Sequence, residues 1–166
     1  MRVFLDTEFT GLSSDPRLLS IGLVAENGAE LYIELTDGWS EENCSAWVRE
    51  HVIPLLGKEA KCTRREAGRL ILSWLSFAED PPTLLSDSDW DTTLIAGLMD
   101  DCGIPREHYG LEVLRYKSKA QATAFEEARL RYFETLNLVQ HHALNDARVF
   151  HAAWVSVFGT RAETNE

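Results

Sequence analysis

The hydrophobic pattern of this chain changes period along its length. Val3, Phe4 and Leu5 form an unbroken apolar run, which predicts a strand buried on both faces. Thr10 to Pro16 is a loop by its Gly, Ser and Pro content, and Leu18 to Glu26 is a second, mostly apolar strand. Asn27-Gly28 supplies the two positive-φ positions of a tight hairpin turn. Leu31, Ile33 and Leu35 then alternate with Tyr32 and Glu34 as a third strand. The chain therefore opens with an antiparallel three-strand meander.

From Ser40 the period becomes helical. Cys44, Trp47, Val48, His51 and Leu55 recur on one stripe, with Pro54 ending the element and His51 read as a partly buried packing residue. Thr63-Arg-Arg-Glu66 has the form of a capping box and opens a second helix. Its stripe is Ala67, Leu70, Ile71, Trp74 and Phe77, with Arg65 and Arg69 on a solvated face. After the break at Asp80-Pro-Pro82, Thr83 to Leu85 reads as a short buried strand. It runs through Ser86-Asp-Ser-Asp-Trp-Asp91 into a helix carrying Leu94, Ile95, Leu98 and Met99. Leu111 to Tyr116 is a further strand candidate, with Arg115, Lys117 and Lys119 forming the most basic short segment of the chain. Ala120 to Leu138 is a long amphipathic helix with Phe125, Ala128, Tyr132 and Leu136 inward. The last helix starts near His142 and carries Phe150, Trp154 and Phe158 to a stop at Gly159.

A meander followed by helices alternating with further strands gives an α/β class with a mixed central sheet. Residues 1–159 are expected to form one domain, and 160–166 a polar, frayed tail. A chain of 166 residues with 45% hydrophobic and 26% charged positions is large enough for its own core. No apolar run reaches the length of a membrane span, and the three cysteines lack C-x-x-C spacing. These points predict a soluble cytoplasmic protein with no membrane partner, disulfide framework or zinc knuckle. Sixteen Lys plus Arg against 27 Asp plus Glu gives a formal net charge of −11. Such a surface disfavours long, sequence-independent grip on DNA, because that grip rests on many phosphate contacts. Bound cations and a local basic patch still permit action on a strand end.

The chemistry begins where the first strand ends. Asp6 and Glu8 are i, i+2 on a strand, so both carboxylates point to one side of the sheet. Two such groups repel unless a cation lies between them or solvent screens them. Asp87, Asp89 and Asp91 crowd a strand-to-helix junction, where at least one is expected to serve only as a helix cap or dipole partner. In His141-His-Ala-Leu-Asn-Asp146, the aspartate falls early in a helix beside Ala143, Ala147 and Phe150. Burying it there costs free energy unless it is hydrogen-bonded or bound to a cation. His141 sits just before the helix, and its side chain can take a proton near neutral pH.

In this order, Asp6-x-Glu8, a mid-chain aspartate and His141-x-Ala-Leu-x-Asp146 resemble the DEDD superfamily of 3′-to-5′ exonucleases, in its histidine-base branch. Phe4 to Leu12 is similar to that family's first motif, with Phe9 where a second threonine is common. The middle motif departs from the family: Trp90-Asp91 with Leu94 fits, but Ser86-Asp87-Ser88 replaces a usual His-Asn segment. The third carboxylate is therefore assigned to Asp91, with Asp87 as substitute. The compact domain is also similar to the small ribonuclease T-like exoribonucleases of bacteria.

The resemblance implies a ribonuclease H-like fold and hydrolysis of phosphodiesters at the 3′ end of RNA or short oligonucleotides. Two Mg²⁺ or Mn²⁺ ions, roughly 3.5–4 Å apart in such sites, would be held by Asp6, Glu8, Asp91 and Asp146. Asp6 would bridge them, and His141 would act as general base. Thr7, Phe9, Thr10, Gly11, Leu12 and Trp90 would lie against the terminal nucleotide. The resemblance also implies a single-stranded RNA or DNA 3′ end as partner and a homodimer. The competing readings are a DNA-trimming exonuclease with the same residues, a silent end-binding or protein-binding module, and an unrelated acidic domain.

Overall fold

The opening strand lies inside the sheet, because both of its edges are paired. In the computed structural model, which describes residues 1–57 and 61–159, β1 (Arg2–Phe9) pairs antiparallel with β2 (Leu18–Ala25) and parallel with β5 (Thr83–Ser86). β3 (Glu30–Leu35), β4 (Lys61–Cys62) and β6 (Gly110–Val113) complete a six-stranded sheet of order β4-β3-β2-β1-β5-β6. The meander is antiparallel, while β4, β5 and β6 add parallel pairings. This is the mixed α/β sheet flanked by helices that the pattern predicts, and it is consistent with a ribonuclease H-like fold. The tail at 160–166 lies outside the described residues, among which no helix is long and apolar enough to cross a membrane.

Each face of the sheet carries a helical pair. Val3, Leu5, Ile21 and Leu23 pack with Ala67 and Ile71 of α2 (Arg64–Leu75) and with Ile95 and Leu98 of α3 (Asp89–Asp101). Phe4, Val24 and Leu85 face Phe125 and Ala128 of α4 (Lys119–Leu136) and Ala147 and Phe150 of α5 (Ala143–Phe158). Alternation along β1 thus gives Asp6 and Glu8 the same side as Phe4, toward α4 and α5. The Phe4 ring meets Phe150 edge-on at 5.3 Å, so the strand is clamped next to its first carboxylate.

Some elements differ from the sequence expectation. The β2–β3 turn has positive φ only at Gly28 (83°); Asn27 instead uses its side-chain oxygen to accept the Ala29 amide. Ala25 and Ala29 close this longer connection with a backbone bond, so it is not a two-residue hairpin. The single helix expected after Ser40 is broken: a short 3₁₀ turn, then α1 (Ala46–His51), then a second 3₁₀ turn containing Pro54. Cys44, Val48 and Val52 face Leu19, whereas Trp47 and His51 are exposed, so the expected packing role of His51 is corrected. On α2 the capping box of Thr63 and Glu66 is present, but Gly68 and Leu75 are buried while Leu70 is exposed, and Phe77 lies exposed beyond the helix end. On α4, Phe133 takes the inward place expected of Leu136, which is exposed. In each case the true stripe is set by which neighbour the helix meets, a choice periodicity does not make.

A bulge between Glu8 and Phe9 leaves Leu19 as an extra residue on β2. Leu19 therefore turns away from the Leu18 face to hold α1 beside the end of β1.

Candidate active site

The end of β1, the start of α3, the start of α5 and one side of α4 surround a cavity of about 670 Å³. Asp6 and Glu8 come from β1, Asp91 from the first turn of α3, and Asp146 from the first turns of α5. Four residues from three distant stretches of sequence thus line one cavity. Two groups of carboxylate oxygens lie within 4.8 Å of one another: Asp6 with Glu8 and Asp146, and Asp6 with Asp87 and Asp91. Asp6 belongs to both.

A missing side chain allows this convergence. Gly22 pairs with Asp6 in the β1–β2 register. A Cβ at Gly22 would lie 2.3 Å from the carbonyl carbon and oxygen of Ala143 and 2.5 Å from the Leu144 nitrogen. Only glycine lets the start of α5 rest on the sheet at that point, which brings Asp146 to Asp6 and Glu8. The hydrophobic pattern of Leu18 to Glu26, that of an ordinary apolar strand, does not reveal this role. An unexplained glycine within that run was the available signal.

The three aspartates of the β5–α3 junction separate by environment. Asp91 is 3% exposed; one oxygen accepts the Thr7 amide (3.1 Å) and hydroxyl, the other the Ser86 hydroxyl (2.7 Å). Asp89 is exposed and pairs with Arg115. Asp87 lines the cavity and accepts a 2.7 Å bond from Arg129 Nη1 on α4. The helix cap is none of them: Ser88 Oγ accepts the Trp90 amide. Asp91 and Asp87 therefore both reach the site, and only Asp91 is pinned by hydroxyls.

His141 lines the cavity, whereas the His142 ring lies stacked on Tyr32, 4.4 Å between centroids. His141 has φ of 63°, a left-handed conformation uncommon for a residue with a side chain. Neighbours fix this turn: Asp146 accepts the His142 amide at 2.9 Å, and Asn145 Nδ2 donates to the Val139 carbonyl at 3.0 Å. Trp47 meets the His141 ring edge-on at 4.6 Å and stacks on His51 at 4.8 Å. Trp47 lines the cavity and is 47% exposed, a position its assumed place on a buried stripe concealed.

Thr7, Phe9, Gly11 and Leu12 line the cavity, with Leu12 exposed at its mouth. Thr10 and Trp90 do not line it. Thr10 is buried and ties the loop, its hydroxyl accepting the Arg17 amide and its carbonyl accepting the Ser45 amide of the α1 cap. Trp90 stacks behind Phe9 at 6.1 Å. Gly11 has φ of 129°, and a Cβ there would come within 3.0 Å of Ser45. Arg129, Leu130 and Phe133 of α4 also line the cavity, and none of them was singled out from the sequence.

Burial dominates the electrostatics, with like-charge crowding behind it. Asp6 is held well above the usual carboxylate range by burial and by Asp91, Asp146, Glu8 and Asp87 around it. Glu8 is pushed up to about 8 by burial, then by Asp146 and Asp91. Asp91 is pushed up to about 6 by burial, against the pull of its Thr7 and Ser86 hydrogen bonds. Asp146 reaches about 6 through burial, opposed by the His142 amide and by Arg129. Burial, then His51 and Arg129, hold His141 below the ordinary histidine value. Carboxylates raised by burial and then by mutual repulsion, with only oxygen ligands, fit a hard divalent cation such as Mg²⁺ or Mn²⁺.

A pH dependence follows. A folded carboxylate with a raised pKa binds more protons than its unfolded counterpart, so stability falls as pH rises through the interval. The window runs from ordinary unfolded values near 4 to the folded values of about 6 for Asp91 and Asp146 and about 8 for Glu8. In EDTA the melting temperature is expected to drop between pH 5 and pH 8, and Mn²⁺ is expected to flatten that drop. A melting temperature in EDTA that stays level over this interval would contradict the electrostatic account.

No family model matches the chain. Over 77 residues it is 46% identical to two proteins named 3′-5′ exoribonuclease, from the CDC 1551 / Oshkosh and H37Rv strains of Mycobacterium tuberculosis. The matched stretch covers 46% of this chain and 45% of each relative, so it spans just under half the length of these curated proteins.

Proposed function

We propose that this chain is a divalent-cation-dependent 3′-to-5′ exonuclease acting on the 3′ end of single-stranded RNA. One observation carries the reading: Asp6 is shared by two carboxylate groups in a cavity that His141 also lines. The names of the M. tuberculosis relatives support the reaction and favour RNA. In this reading residues 1–159 are one cytoplasmic exonuclease domain of the histidine-base branch, close to the ribonuclease T-like group, and the enzyme acts as a homodimer.

Asp6, Glu8 and Asp146 would hold one cation. Asp6 with Asp91, and with Asp87 beside it, would hold a second. Two bound cations would make water a stronger nucleophile at neutral pH and offset the charge that develops on the leaving 3′-oxygen. The residues of the chain supply the rest. Thr7 and Ser86 keep Asp91 facing the cavity through their hydrogen bonds. His141, whose pKa is lowered by burial and then by His51 and Arg129, accepts the proton of the attacking water at a ring nitrogen. Its edge-on contact with Trp47 and the fixed turn before α5 limit where that nitrogen can point. Gly11 and Leu12 offer backbone and an apolar contact to the last nucleotide, with Phe9 behind them. The exposed Trp47 indole offers a face on which a base can stack.

The direct test incubates the protein with 5′-labelled RNA and DNA oligonucleotides in Mn²⁺, Mg²⁺ or EDTA. The expected result is a ladder shortening from the 3′ end, dependent on metal and faster on RNA. A faster ladder on DNA would favour the trimming exonuclease. No product under any condition would favour the silent end-binding module. His141→Ala is expected to lower turnover by roughly 10²–10⁴-fold while Mn²⁺ binding survives, and His142→Ala to cost far less. Equal losses from both would make the choice of base wrong.

A further inference from the structure

Among the described residues that line the cavity, Arg129 is the one Lys or Arg. It projects from α4 between Ala128, buried in the core, and Leu130, exposed at the rim. Its side chain is 23% exposed and that of Asp87 is 22% exposed, so the pair is largely withdrawn from water. Nη1 lies 2.7 Å from Asp87 Oδ2 and 3.8 Å from Glu126 Oε1. Both contacts use Nη1, so the rest of the guanidinium fork is committed to neither carboxylate.

Asp87 is contested. Its carboxylate belongs to the group with Asp6 and Asp91, so a cation seated there draws on the carboxylate that Arg129 holds. Asp91 is instead anchored by Thr7 at one oxygen and by Ser86 at the other, and it is Asp87 that takes the guanidinium. A guanidinium deprived of its carboxylate inside a half-buried cleft needs another anion. A nucleic-acid substrate brings one, and the planar fork suits a phosphate.

We propose that Arg129 is a phosphate-binding residue held in reserve by Asp87, released when a divalent cation engages Asp6, Asp87 and Asp91, and then turned onto a backbone phosphate of the bound strand. This rests on the exonuclease reading above, since that reading supplies both the cation and the phosphate. It assigns Asp87 a part distinct from that of Asp91: Asp91 is a fixed carboxylate, whereas Asp87 exchanges one cation for another. It also gives an acidic protein a cationic contact that stays neutralised until metal is present.

Two readouts of opposite sign test it. Mn²⁺ binding is measured without nucleic acid by electron paramagnetic resonance, and KM and kcat are measured on a 5′-labelled RNA oligonucleotide. Arg129→Gln removes the competitor for Asp87, so Mn²⁺ is expected to bind several-fold more tightly. The same variant loses a charge-assisted phosphate contact, so KM is expected to rise about ten- to a hundredfold. The slope of log(kcat/KM) against log salt is expected to shrink by about 0.7, one phosphate on a single strand. Arg129→Lys keeps the charge without the fork and is expected to fall between, in both measurements.

Weaker Mn²⁺ binding with unchanged KM in Arg129→Gln would make the residue a prop for Asp87 and overturn the proposal. Wild-type behaviour in both measurements would overturn it as well, leaving the exonuclease reading intact. If the wild-type protein binds no Mn²⁺ and trims no RNA, the exonuclease reading fails and this proposal falls with it.

Discussion

Asp6→Asn is expected to lower RNA trimming on the order of 10³-fold or more, while raising the melting temperature of the chelated protein. The loss follows from position, because Asp6 is the carboxylate common to both groups and its replacement would weaken both candidate cation sites together. Cation stabilisation of the reaction is worth several kcal/mol, and each tenfold in rate corresponds to about 1.4 kcal/mol. The gain in stability has the opposite origin. Asp6 is held well above its ordinary pKa by burial and four neighbouring carboxylates, so at a pH above the ordinary carboxylate range it opposes folding. A neutral amide of similar size removes that opposition. Thermal melts in EDTA and Mn²⁺, beside single-turnover assays, check both halves. Turnover within tenfold of wild type would sink the catalytic part, and a lower melting temperature in EDTA would sink the electrostatic part.

The second large effect is expected far from any charge. Gly22→Ala puts a Cβ 2.3 Å from the Ala143 backbone, a contact that no side-chain rotation relieves. Overpacking of this kind costs about 1–3 kcal/mol, and in a domain this size each kcal/mol lowers the melting temperature by about 2–4 °C. Activity should fall further than stability, because α5 is lifted off β2 and takes Asp146 with it. A displacement of about 1 Å in a catalytic group can cost about 10²-fold. Gly97→Ala provides the contrast. Gly97 lies within α3, and a Cβ there meets no atom within 4 Å. It is expected to be neutral or stabilising by about 0.4–1 kcal/mol. Melting curves that coincide for Gly22→Ala and wild type would remove the steric argument.

The two variants divide what was legible in the chain from what was not. Asp6 and Glu8 announce themselves, because strand alternation is a local rule that puts both carboxylates on one side whatever the rest of the molecule does. The capping box at Thr63 and Glu66 and the strand order of the meander are local in the same way, and the structure contains both. His141 and Asp146 were legible as a pair because they lie within one short segment whose helix start could be read.

Other features depend on packing between segments far apart in the chain. That Gly22 is the seat of α5 requires knowing that Ala143 presses on β2, a contact over more than a hundred residues. That Trp47 faces the cavity depends on α1 turning Val48 toward Leu19, a side of the helix that periodicity leaves open. Among the aspartates near Trp90, sequence alone offered an assignment to Asp91 with Asp87 in reserve. Tertiary structure brings both within reach of Asp6 and distinguishes them by partner: hydroxyls for Asp91, a guanidinium for Asp87. The chain by itself determined which residue types could form an acidic site and on which strand it begins. Only the packing of α3, α4 and α5 around that strand decided which carboxylates meet, because the burial and repulsion that raise their pKa values arise when distant segments converge.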